Sequence, residues 1–197
     1  MSGAYATAGD SRAERIWPPN TKRLLVRGFV LSLIPIIALA VVLQLKQIVY
    51  LDYVHVITGA TWTGFDIFMG VVFSAVMRYV DQPAKIEIAK RLTPSMVFIM
   101  PSISATSTTA GYFLATRLGI FNITHPVIIA TGIIVIVLFV QGLGIFLPNE
   151  LRVFLELIKE GPDTKKIVRL TTINMKLGGV QAIFQIALIL MMAFLAF

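Results

Sequence analysis

The sequence predicts an all-α fold, a polytopic transmembrane helical bundle of about five spans, and two observations predict it. The 197 residues are 57% hydrophobic and only 14% charged, with a mean hydropathy of +0.85, whereas soluble domains carry about 25% charged residues. The charge is also unevenly spread, because residues 28–45, 92–116, 118–149 and 177–197 hold no Asp, Glu, Lys or Arg. About 20 apolar residues cross the hydrocarbon of a bilayer. In lipid each segment must also satisfy its own backbone polar groups, which selects helices.

The elements follow in order. Residues 1–22 form a polar tail with Arg12, Arg15 and the Pro18-Pro19 pair. The tail lacks the early apolar core and small-residue cleavage site of a secretory signal, so it is expected to be retained, flexible and cytoplasmic. Residues 23–197 form one transmembrane domain. Its first span is 24–45, with Pro35 inside it, a kink that neighbouring helices tolerate. The second, 51–79, is interrupted away from its ends by one charge, Asp66. The third, 92–116, is rich in hydroxyls at Ser102, Ser104, Thr106, Ser107, Thr108 and Thr109. The fourth, 123–147, is expected to stop at Pro148. Residues 149–161 then place Leu151, Phe154, Leu155 and Ile158 on one face, which predicts a short amphipathic helix on the membrane surface. The fifth span is 175–197. No cysteine is present, which removes disulfides and thiolate sites.

A net charge of +7 and a pI near 9.9 would suit nucleic acid, but the basic residues sit in the short segments between spans and read instead as topology signals. Of the 17 Lys and Arg, only Lys46 and Arg117 fall on one side of the five-span arrangement. Retained positive charge stays in the cytoplasm, so the N-terminus is expected to be cytoplasmic and the C-terminus external.

Function is then sought in the few polar residues within the spans. His55 opens the second span and His125 the fourth, both at the external face in this topology. Neutral imidazole ligates heme iron, copper or zinc. The pair reads either as ligands of a heme b or a copper ion between those spans, or as two interfacial residues bonding headgroups or carbonyls. Asp66 lies about 15 residues into its span, near the bilayer centre. A charge there costs several kcal/mol, so Asp66 must be protonated, paired or facing water. His55 and Asp66 are about three helical turns apart and share a face, with Trp62 close to it. The hydroxyls of the third span, Ser104, Thr106 and Thr108 among them, would satisfy Asp66, line a polar cavity, or serve as packing glue between helices. Lys176 stands at the start of the fifth span, where a lysine ordinarily snorkels to the interface. Trp17, Tyr50, Tyr53 and Tyr79 flank spans as interfacial anchors.

The segment His55–Gly64, HVITGATWTG, resembles the membrane superfamily that includes the CopD copper-resistance proteins and the heme-binding protoporphyrinogen oxidases of bacteria. Those families open a span with a histidine followed seven residues later by tryptophan and then glycine, matched by His55, Trp62 and Gly64. A basic loop leading into a Pro-Met span matches at Ala89–Met96, and a late helix carrying a lysine matches at Met175-Lys176-Leu177. The resemblance implies that His55 ligates heme or metal and that Lys176 is a functional lysine. It also leaves differences: an additional first span, and Asp66 where those families are usually apolar. Three functions therefore stand side by side. One is a heme- or metal-binding protein near the external face, for electron transfer or metal handling. The second is a non-catalytic subunit of a larger membrane complex or a homo-oligomer. The third is a proton- or metal-coupled transporter using Asp66.

Overall fold

The computed structural model describes residues 21–45 and 47–196. Residues 1–20 of the expected flexible tail, with Arg12, Arg15 and Trp17, lie outside the described residues, and so does Lys46, while Thr21 and Lys22 open α1. Among the described residues there are five long helices and no strand: α1 Thr21–Leu45, α2 Ile48–Val76, α3 Gln82–Arg117, α4 Pro126–Leu157 and α5 Thr164–Ala196. Four of these, α1, α2, α4 and α5, are long and apolar enough to cross a membrane. The exception is the longest, α3, and its position explains its lower apolarity.

Helix α3 is the inner helix of the bundle. One face packs on α1 and α2, where Ser102, Thr106, Ser107 and Ala110 are buried. The approach to α1 is close because it is built from small residues. A Cβ on Gly28 would stand 2.7 Å from the Cα of Ser95, and the Ser102 hydroxyl donates to the Ser32 carbonyl. Leu39, Val42, Leu51, Val54 and Ala110 close the far end of this three-helix layer. On its other side α2 crosses α5, and there the contact is backbone to backbone. A Cβ on Gly70 would lie 2.1 Å from the amide nitrogen of Gly179. Gly70 sits within a π-helical stretch, Phe68–Phe73.

The helix bounds differ from the expected spans: α2 ends at Val76, not 79, α4 begins at Pro126, not 123, and α3 and α5 start well ahead of theirs. Helix α3 begins at Gln82, not 92, and α5 begins at Thr164, not 175, because their charged first turns extend past the apolar run. The fourth span does not stop at Pro148. Helical backbone continues through a π-helical stretch at Gly142–Phe146 and on to Leu157. A proline withdraws one backbone donor and pushes its ring against the preceding turn; a widened turn just before it accommodates both. The amphipathic segment expected at 149–161 is therefore the continuation of α4, ending at Leu157, and not a separate surface helix. Its Val153 and Leu157 pack with Ala89, Ile167 and Leu170, while Leu151, Leu155 and Ile158 are exposed.

About 20 residues from Pro126 span the hydrocarbon, so the last turns of α4 stand beyond it. There Glu156 accepts from Lys166 at 2.7 Å and Lys159 at 3.1 Å, and from the Asp163 amide at 3.3 Å. These bonds, Lys166 first, hold its carboxyl down at about 2, from an ordinary 4.5. A lowered carboxylate contributes stability that is fully present above pH 4.5 and lost as the pH falls through 2. Glu156→Gln is thus expected to melt below the wild type at neutral pH, with the gap in Tm closing between pH 4.5 and 2. A gap that stayed constant on acidification would show that the cluster contributes nothing through charge.

Candidate functional site

The intramembrane part of α4 packs on α5 and makes no more than marginal contact with α3. The space this leaves between α2, α3, α4 and α5 is a cavity of about 300 Å³. Its wall is mostly methionine, aromatic and aliphatic, interrupted by two carboxylates, Asp66 and Glu150. Among the described residues no Lys, Arg or His lines it.

Asp66 is 3% exposed and more than two turns from either end of α2. Its Oδ2 accepts from Gln185 Nε2 at 2.8 Å, and Trp62, one turn before it on α2, lines the same cavity. Opposite stands Gly178, where even a Cβ would lie 3.7 Å from Oδ1. No ion pair engages Asp66 among the described residues. Of the three residues expected on one face of α2, Trp62 and Asp66 line the cavity and His55 does not. The hydroxyl row divides: Ser104 and Thr108 are on the cavity wall, while Thr106 is buried away from it.

The second carboxylate lies toward the end of the bundle that carries most of the basic residues. Asn174 Nδ2 donates to Glu150 Oε1 at 2.9 Å and Asn149 Nδ2 donates to Asn174 Oδ1 at 3.0 Å, and Thr93 lines the same wall. Glu150 Oε2 and Thr171 Oγ1, both on residues of this wall, are buried without a partner among the described residues. The sequence reading missed this station, and it missed Gln185. Their signal was present: Thr171, Asn174, Gln181 and Gln185 recur at helical spacing on one face of α5.

At the opposite end His55 is wedged between α3 and α5. Its Nδ1 is 2.9 Å from the Ser107 carbonyl oxygen, and its Nε2 is 3.2 Å from Met192 Sδ. A Cβ on Gly111 would stand 2.7 Å from the imidazole Cε1, so glycine makes room for the ring. A carbonyl only accepts, so Nδ1 carries the hydrogen. In the neutral imidazole Nε2 then turns its lone pair to the thioether. His125 caps the start of α4 and is exposed, on a helix that packs with α5 and at most marginally with α2. The packing seats His55 against Ser107 and Met192, whereas His125 stands at the exposed start of α4. Lys176 is exposed, although its neighbours Met175 and Gly178 line the cavity; successive helical residues turn by about 100°, and that turn takes it off the wall. Among the described residues no cluster of three or more His, Asp or Glu side chains is placed to hold a metal ion.

Fold and cavity together define the class: a polytopic α-helical membrane bundle with an interior, carboxylate-bearing cavity. No family model, curated protein or solved structure matches the chain.

Proposed function

We propose that the protein is an integral membrane transporter in which Asp66 binds and releases the coupling proton, with the N-terminus cytoplasmic as the basic residues argue. One observation carries this reading. A carboxylic acid deep within α2 lies on the wall of an interior cavity, held by the neutral donor of Gln185, with no cation on that wall among the described residues. A carboxylate kept only for packing would be closed off by a partner, whereas an intramembrane acid at a cavity is how proton relays are built. Reconstitution into liposomes loaded with a pH-sensitive dye tests it. A proton flux above that of protein-free liposomes, lost in Asp66→Asn, is the expected result; a flux indifferent to the substitution rejects the role.

A second reading, metal handling at the far end, has one specific observation in its favour. The Ser107 carbonyl fixes the His55 tautomer and leaves Nε2 facing the Met192 sulfur, a nitrogen and thioether set of the kind that suits copper(I). It is also the reading that the CopD resemblance implies. Metal analysis of the purified protein decides it: about one copper per chain, absent in His55→Ala, is expected on this reading. An absorption spectrum of the same sample reads heme.

A further inference from the structure

Resting on the transport reading, we infer that the cavity takes a small organic ammonium ion, a primary or secondary amine on an apolar body, with its nitrogen seated at Glu150 and Thr171. The polar end of the occupant is set by what the wall lacks. Glu150 Oε2 and Thr171 Oγ1 are both buried without partners among the described residues, and Thr171 is only 8% exposed. Buried polar atoms are ordinarily satisfied, and an orphan costs free energy until a partner arrives. Two carboxylates with no basic residue on the wall select a cation, and the orphaned oxygens require one that can donate hydrogen bonds.

The body of the occupant is set by the rest of the wall. Met96, Met100, Phe65 and Phe139 line the cavity between its two acids, so most of the occupant must be apolar. A volume of about 300 Å³ is far larger than a bare ion needs and sits at the small end of the range for organic ligands. The route of arrival agrees. Phe139 and Leu143 both line the cavity and are 63% and 45% exposed, so the wall reaches the lipid-facing surface on the side where α3 and α4 stand apart. An apolar amine concentrates in that environment.

The placement also joins the amine to the proton. Asn174, which holds Glu150, and Gly178, which faces Asp66, are one turn apart on α5, about 6 Å of rise. A cation at Glu150 and a proton at Asp66 therefore occupy adjacent stations of one cavity.

Tritiated tryptamine and its N,N,N-trimethyl analogue are the probes, measured by equilibrium binding to the purified full-length protein in detergent. Tryptamine should bind saturably and at least about tenfold more tightly than the trimethyl form, which has no N–H on its cationic nitrogen to donate. Glu150→Gln should weaken tryptamine about tenfold or more and Thr171→Val about fivefold, while the exposed Asp52→Asn leaves binding unchanged. Glu150→Asp, which keeps the charge, should restore part of the affinity and guards against a variant that fails to fold. Non-saturable binding, equal affinity for the two probes, or an unaltered Glu150→Gln would overturn the inference. If proton flux depends on Asp66 but tryptamine does not bind, this inference alone falls. If tryptamine binds as expected but Asp66→Asn leaves proton flux intact, the coupling role falls and the binding site stands.

Discussion

A Gly70→Ala variant is expected to be less stable than the wild type by at least about 3 kcal/mol, at or beyond the upper end of ordinary overpacking. The added carbon would lie 2.1 Å from the amide nitrogen and 2.3 Å from the Cα of Gly179, well inside van der Waals contact. Both atoms belong to the backbone, so no rotamer change relieves the overlap and the crossing of α2 and α5 must open. Opening it also pulls Asp66 away from Gln185, a bond that joins the same two helices. Gly64, on the same helix, has no atom near enough to touch an added Cβ, and Gly64→Ala is the matched control. Thermal unfolding of the two variants in the same detergent checks the prediction, which fails if they melt together.

The second large effect is functional. Asp66→Asn is expected to reduce proton flux in proteoliposomes at least ~100-fold, the scale on which a positioned proton-transfer group acts, while leaving the melting temperature close to that of the wild type. Asparagine has nearly the same size as aspartate, and its carbonyl oxygen still accepts from Gln185 Nε2, the bond that spans 2.8 Å in the native protein. What it cannot do is take up and release a proton. Loss of flux without loss of stability would separate this role from a packing role, in which stability and flux fall together.

Much of the architecture was legible in the sequence because the bilayer leaves a chain few options: uncharged runs of span length must be helices. The ends of those helices were not legible for the same reason. Gln82–Arg91 and Thr164–Asn174 are helical but charged, and hydropathy reports only the portion that sits in hydrocarbon. Pro148 misled because a π-helical stretch five residues long absorbs it, and nothing local in the sequence announces that stretch. Asp66 was legible, since a lone carboxylate in an apolar run is conspicuous. Its partner Gln185 was not, because periodicity gives the depth of a residue and the face it occupies, but not which helix lies opposite. The same limit hid the neighbours of His55: depth and face do not say that its imidazole meets the Ser107 carbonyl and the Met192 thioether.

The π-helical stretch at Gly142–Phe146 has a consequence for how α4 is aimed. A π turn holds one residue more than an α turn, so it shifts the angular phase of everything that follows by about 100°. Upstream of it, Val135, Leu138 and Phe139 point into the cavity; downstream, Glu150 does so while Val153 and Leu157 reach a different set of neighbours. The stretch absorbs one extra residue between two α-helical registers. Deleting a residue within it would restore an α turn and leave both halves in phase, whereas deleting one from the α-helical backbone between it and Glu150 would turn the carboxylate by about 100° off the wall.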